Sequence, residues 1–533
     1  MRRCCVVLAA CLMAWLGPPG LTIATAQPPG STVNYQTIPG DGGTPLGAFV
    51  IEPTGQGDGP FPVLVMPASW ALPGLQYIGG ARRLAENFGY IIVSYTARGC
   101  WDSGGEVEVA GATDIADASR VIDWALANTN ADPSKVGMAG ISYGSAIGTM
   151  TAAVDKRVRA VVAMDTWSSL ERSLYPNETV NKQGIDFFLA LVHLFGCRAG
   201  PALTELEKAY QEDDIQRVIP LTVERSPATK LSGINANNPA VMIANTWGDS
   251  FFPPSQVVDF YSALTVPKRL FLFPGDHATI TEPGGLGFRN EHWDSAARWF
   301  DRHLKGINNG VDAEPRVSLK PNSGGDWRGY PTWQAATTAT DTLFLGPEGE
   351  TSLGSPIGAL GDQPATGWSQ QVNGGVDTVA NSGTVLISGT LQGYLNVPVN
   401  ASIQQIDRAA AGVWAAAPLA TPMTVSGAPR WRTTVTPNAA NLTLFAYLFD
   451  VDNDGNGSLI THKPYTLRGV TPGTAHTIDF ELEPTVWDVR AGHRLVLVVD
   501  TVDPRYRSTT QQGTTLTFTS PTNDPSWLRI PHG

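Results

Sequence analysis

The residues best suited to chemistry are Gly140-Ile141-Ser142-Tyr143-Gly144. They follow the apolar run Val136 to Ala139 and open a helical pattern from Ala146 to Ala153. A serine in a G-x-S-x-G turn between strand and helix sits in a tight elbow with its hydroxyl exposed, ready for nucleophilic attack. A serine hydroxyl is a weak nucleophile until a base takes its proton, and the base needs a carboxylate to orient it. In this type of site the chain order is serine, acid, histidine. Asp249 follows the apolar run Ala240 to Ala244, and His277 follows Leu270 to Phe273. Asp276 is the rival acid, but adjacent loop residues seldom present their side chains face to face. The remaining histidines lie in helical segments, beside the last helix of that region or in the β-rich half. An acyl-transfer site also needs donors aimed at the oxyanion. The N–H of Tyr143 is one. Ser69 or Trp70, in the loop after Val63 to Met66, is expected to supply the second.

Those residues need a scaffold that brings strand ends together. Val63 to Met66, Ile91 to Tyr95, Val136 to Ala139, Val161 to Met164, Ala240 to Ala244 and Leu270 to Phe273 are continuous apolar runs rich in β-branched residues. Such runs mark strands of a parallel sheet covered on both faces. Helical patterns lie between them, for example Ile115, Ala118, Val121, Ile122 and Ala125, and Ala296, Trp299, Phe300 and Leu304. This alternation predicts an α/β doubly wound sheet of the α/β-hydrolase type over residues 27–311. Residues 166–235 interrupt the rhythm with helix formers and are expected to cap the site. From residue 312 to 533 short alternating runs (Thr384 to Ile387, Leu442 to Leu448, Leu495 to Val499, Thr514 to Phe518) predict an all-β jelly-roll sandwich in which helices nearly vanish. Trp327 and Trp333 are expected to pack the joint between the two.

Several motifs in order resemble one family, the X-prolyl dipeptidyl-peptidases, cocaine esterase and α-amino acid ester hydrolases. They are Pro62-Val63-Leu64-Val65 with its loop, Arg98-Gly99-Cys100-Trp101-Asp102-Ser103-Gly104-Gly105, and the elbow Ser142-Tyr143-Gly144. In the β-rich half, Leu448-Phe449-Asp450-Val451-Asp452 and Ala491-Gly492-His493-Arg494-Leu495 are similar to its jelly roll. The resemblance implies Ser142 as nucleophile, Asp249 as acid and His277 as base. Family members often carry a tyrosine donor in the oxyanion loop where this chain has Trp70, whose indole N–H is a donor too; alternatively the backbone serves and Trp70 merely lines the pocket. The amino-acid ester hydrolases often carry a glutamate where this chain has Gly144, which weakens an amine-recognising reading. Asp165, Trp167, Glu171 and Glu178 are the candidates to line the pocket, and one carboxylate among them could receive a substrate ammonium.

Composition narrows the rest. The 533 residues carry a net charge of −12, and no dense Lys/Arg cluster is present, which excludes a nucleic-acid surface. Fifteen Trp and 42% hydrophobic residues support real cores, and 56 Gly with 40 Pro imply many turns. Arg2, Arg3, the apolar run Cys4 to Leu16 and Ala24-Thr25-Ala26 predict a signal peptide over residues 1–26 and hence secretion. A lipoprotein anchored at Cys11 of Leu8-Ala9-Ala10-Cys11 is the alternative. No apolar run reaches the roughly 18 residues a membrane span needs. Cys100 and Cys197 then remain as a candidate disulfide. Asp450, Asp452, Asp454 and Gly455 start like a calcium loop, but Thr461 stands where the closing glutamate belongs. No metal and no cofactor is expected. The expected substrate is a small ester or short peptide, and oligomeric state leaves no signal.

Overall fold

A computed structural model describes residues 30–351 and 353–533. The expected signal peptide and the alternative at Cys11 lie outside the described residues. Ten strands form the first sheet: β1 (Ser31–Pro39), β2 (Pro45–Pro53), β3 (Phe61–Pro67), β4 (Ile91–Tyr95), β5 (Ala131–Ile141), β6 (Val158–Met164), β7 (Ala240–Thr246), β8 (Lys268–Phe273), β9 (Val317–Leu319) and β10 (Arg328–Tyr330). Their spatial order is β1-β2-β4-β3-β5-β6-β7-β8-β9-β10. From β4 to β9 all neighbours run parallel. The β1–β2 hairpin and β10 add antiparallel edges. All six apolar runs read from the sequence are strands. The sheet continues to Tyr330, past residue 312 where the β-rich half was expected to begin.

The apolar runs work by alternation. Val63, Val65, Ile91 and Val93 face one core, while Leu64, Met66 and Ile92 face the other. Helices α1 (Ile78–Phe88), α2 (Ala112–Asn128) and α3 (Tyr143–Val154) cover the sheet. Between β6 and β7 the chain builds α4 (Leu170–Leu174), α5 (Lys182–Leu194), α6 (Pro201–Gln211), α7 (Ile215–Glu224) and α8 (Leu231–Asn237). The Asn181 side chain caps α5 by accepting from Gly184 N–H at 3.1 Å, and Pro201 opens α6. Helices α9 (Pro254–Ala263), α10 (Glu282–Gly285) and α11 (Glu291–Lys305) complete this part.

Fourteen strands between Ala339 and His532 form the all-β jelly-roll part. Trp414, Trp431 and Phe518 fill its core. The stretch Thr384 to Ile387 is not a strand there; it runs into helix α12 (Ile387–Leu395). Its apolar residues serve the joint with the first sheet instead. Val385 packs in the same core as Phe251 and Phe252, and Leu386 N–H donates to Ser250 Oγ at 3.2 Å. Of the two tryptophans assigned to the joint, Trp333 packs on Trp247, in a core that also takes Val486 from the β-rich half. Trp327 packs on Phe271 and Phe273 of the first sheet.

The loop after β4 is held from two sides. Arg98 donates to both oxygens of Asp117 on α2, at 2.7 and 2.6 Å, and Asp117 also accepts from Asp41 N–H at 2.7 Å. The Cys100–Cys197 disulfide ties the same loop to the end of α5. The two side chains of the Arg98 pair are 9% and 1% exposed. Removing one partner leaves a buried charge uncompensated, so Asp117→Ala is expected to cost about 3–5 kcal/mol, read as an earlier midpoint in chemical denaturation.

Candidate active site

β5 ends where the chain must turn sharply into α3. Ser142 stands at the turn with φ 57 and ψ −121, and its N–H donates to Met164 O at 2.9 Å. Such a conformation strains a non-glycine residue and is held only by its surroundings. The flanking glycines are required by close approach. A Cβ on Gly144 would lie 1.9 Å from the Pro67 carbonyl oxygen, and one on Gly140 would lie 2.5 Å from the Gly144 carbonyl carbon. The elbow is thereby pressed against the end of β3. Ser142 is buried but lines a pocket.

Asp249 and His277 follow β7 and β8, at the same carboxyl edge of the sheet. Asp249 Oδ2 lies 2.9 Å from His277 Nδ1, and Asp249 Oδ1 accepts from the N–H groups of Phe251 and Phe252 at 2.9 and 2.8 Å. The carboxylate is fixed on both oxygens, so Nδ1–H donates to it and Nε2 keeps the lone pair a base needs. Asp276 does not take this position. Its Oδ1 accepts from Ser250 N–H and His277 N–H, both at 2.8 Å, and so braces the loop. The rings of Phe251 and Phe252 stand edge-on to the imidazole, each centroid 4.9 Å away. Burial lowers the basicity of His277, but the charge and hydrogen bond of Asp249, with Asp165 and Asp276, outweigh it and raise its pKa above the ordinary value.

The Tyr143 N–H is the first of α3, where no intrahelical acceptor exists for it. Its hydroxyl turns away, donating to Asp114 Oδ2 at 3.0 Å. Trp70 takes the second of its two expected roles, as pocket wall. Its indole N–H donates to Phe188 O of α5 at 3.0 Å and is not offered to an oxyanion. The descending cap helix has captured this donor, so the Trp70 ring serves as pocket wall, edge-on to Tyr143 at 5.2 Å. The Ser69 hydroxyl is also engaged within the fold. Its hydroxyl donates to Ile141 O at 3.0 Å and accepts from Gln76 Nε2 at 2.8 Å, which locks the β3 loop to the elbow. Any second oxyanion donor is left to the backbone of that loop.

Trp70, Ser142, Tyr143, Trp167, Phe188 and Phe252 line the pocket, with Leu170, Leu189 and Leu203 from the cap. Trp167 sits there as expected, anchored by its indole N–H on Arg225 O at 2.8 Å. The expected carboxylates do not. Asp165 is wholly buried and accepts from the Thr281 hydroxyl. Glu171 stays off the pocket wall on α4, and Glu178 is exposed beside Arg468. The one carboxylate on the wall is Glu207 of α6, which the sequence reading missed along with Phe188 and Phe252. The doublets Phe187-Phe188 and Phe251-Phe252 were the available signal. In the all-β part, Asp452 Oδ1 accepts from Asp454 N–H and Asn456 N–H, closing its own turn. No group of three or more His, Cys, Asp or Glu able to hold a metal is present among the described residues. No helix among them is long and apolar enough to cross a membrane.

The sequence profile of the X-Pro dipeptidyl-peptidase S15 family matches residues 41–279, and that of the X-Pro dipeptidyl-peptidase C-terminal non-catalytic domain matches residues 309–527. The chain belongs to this family of serine hydrolases. A Streptomyces avermitilis family member assigned as an Xaa-Pro dipeptidyl-peptidase is 24% identical over 491 residues, 78% of this chain and 68% of that protein. Cocaine esterase of a Rhodococcus species is 23% identical over 359 residues, 57% of this chain and 60% of that protein. The fold is shared with an aminopeptidase from a marine sediment Thaumarchaeota archaeon, at TM-score 0.74 and 14% identity over 97% of this chain and 98% of that one. S15-family membership accounts for the pairing of an α/β-hydrolase sheet with an all-β second part.

Two outcomes test the site. A base must be neutral to accept a proton, and a raised pKa means protonation sets in at higher pH. The acid limb of the pH–rate profile is therefore expected above the ordinary imidazole value of 6.5. Gly144→Ala is expected to abolish turnover, because its Cβ cannot coexist with Pro67 O; esterase assay and a thermal melt of the variant check this.

Proposed function

We propose that the protein is a secreted carboxylic-ester hydrolase working through a Ser142–His277–Asp249 acyl-enzyme mechanism. Ser142 Oγ attacks the ester carbonyl while its proton passes to His277 Nε2. Asp249 holds the imidazole and offsets the imidazolium charge. The negative carbonyl oxygen lies against Tyr143 N–H and the backbone of the β3 loop. The C–O bond to the leaving group breaks, His277 returns the proton to the departing alcohol, and Ser142 keeps the acyl group. Water, deprotonated by His277, then attacks the acyl carbon; the bond from that carbon to Ser142 Oγ breaks, His277 returns the proton to Oγ, and the acid leaves. None of these steps calls on a cofactor. Secretion is supported by the Cys100–Cys197 disulfide, which persists in oxidising compartments.

The observation that carries the ester reading is the wall of the pocket. It is aromatic and aliphatic throughout, except for Ser142, Thr222 and the partly exposed Glu207. A desolvated ammonium without a carboxylate partner is costly, so an uncharged acyl group fits this wall better than the amino terminus of a peptide. X-prolyl dipeptidyl-peptidase action is the second reading. It is favoured by Glu207 and by the family's peptidase members.

Purified protein, with Ser142→Ala as control, is offered a short-chain alkyl ester beside an alanyl-prolyl anilide. Ester turnover alone, lost in the control, is expected. Anilide turnover that falls in Glu207→Gln would establish the exopeptidase instead. Phe188→Ala is expected to raise KM for a medium-chain ester about tenfold by removing apolar wall, with its backbone bond to Trp70 kept.

A further inference from the structure

Asp165 has no task in that mechanism. It follows β6, the strand between β5, which delivers Ser142, and β7, which delivers Asp249. Its N–H donates to Ala244 O of β7 at 2.8 Å, while the residue before it, Met164, accepts the N–H of Ser142. Asp165 is 0% exposed and held at φ 44, a left-handed conformation costly for a non-glycine residue. The Thr281 hydroxyl, on the loop that carries His277, donates to its Oδ2. Among the described residues its Oδ1 makes no hydrogen bond of ordinary length, and the Ala278 N–H of the same loop acts on the carboxylate from farther off. A buried carboxylate so weakly met is expensive, and so is the backbone strain that places it. Two costs at one residue, at the midpoint of the catalytic edge, call for a return.

The groups around it show what the return is. The charges of His277 and Asp249 act on Asp165, and those of Asp165 and His277 act on Glu282 of α10. The imidazole itself feels Asp249, Asp165 and Asp276, while the Arg505 guanidinium from the all-β part acts on Asp276. We propose that Asp165 is a positioning residue of the catalytic centre: through Thr281 it holds the His277 loop, and its carboxylate is a second negative charge that helps the imidazole accept the serine proton. The inference rests on the Ser142–His277–Asp249 reading. Burial pushes the Asp165 carboxyl up, to about 7, while the His277 charge and the Thr281 hydrogen bond pull it back.

The test needs no knowledge of the substrate. The second-order rate of Ser142 phosphonylation by an organophosphonate is followed from about pH 5 to 9 for the wild type, Asp165→Asn, Asp165→Ser and Thr281→Val. Asparagine keeps the volume and an acceptor for Thr281 but removes the charge. Loss of a negative charge lowers the pKa of His277, so the acid limb of Asp165→Asn is expected to move down by about one pH unit. Its plateau rate is expected to fall about tenfold. Thr281→Val is expected to lower the plateau with little displacement of the limb. An acid limb that coincides with the wild type in Asp165→Asn, or in Asp165→Ser should the first variant fail to fold, overturns the proposal. Absence of phosphonylation at Ser142 in the wild type at every pH would overturn the triad reading instead, so the two failures are distinguishable.

Discussion

A buried imidazole is basic only if negative charge is fixed beside it. His277 is 6% exposed and ringed by Phe251 and Phe252, surroundings that by themselves favour the neutral ring. Asp249 reverses that preference because it cannot move: two backbone N–H groups hold one oxygen while the other meets Nδ1. The turn that supplies those N–H groups also supplies the two phenylalanines. One short segment after β7 thus sets both the charge and the dryness of the centre. The parallel sheet exists to deliver this segment, the elbow and the His277 loop to a common edge.

The elbow shows the same economy in sterics. Ser142 is strained, and the strain is tolerated because β3, β5 and α3 are packed more closely than any side chain would permit at Gly140 or Gly144. Ser69 closes the arrangement by joining the β3 loop to Ile141. Above it, the cap contributes almost nothing polar. Two of its carbonyl oxygens, on Phe188 and Arg225, accept from the indoles of Trp70 and Trp167 and hold both rings at the cavity wall.

Much of this was legible in the sequence, and for local reasons. G-x-S-x-G between a strand and a helix, and Asp249 and His277 just past apolar runs, are signals carried by a few neighbouring residues. The six central strands were visible because strands covered on both faces need continuous apolar runs. The hairpin β1–β2 was not, since β1 is largely exposed and mixes polar with apolar residues. What was left open or missed depended on distant partners. The Trp70 indole is taken by a carbonyl 118 residues away, and Asp165 is drawn inward by Thr281, 116 residues on. Thr384 to Ile387 has a strand's composition, yet its apolar side chains belong to another domain's core. Glu207 is unremarkable on a helix until α6 is folded over Ser142.

One carbonyl oxygen joins all three parts of the molecule. Ser250 O accepts from Asn181 Nδ2 of the cap at 2.9 Å and from Arg505 of the all-β part at 2.6 Å. Ser250 follows Asp249 directly in the chain. The turn beside Asp249 is therefore held from the cap and from the all-β part at a single atom, so neither part is mechanically independent of the edge that carries His277.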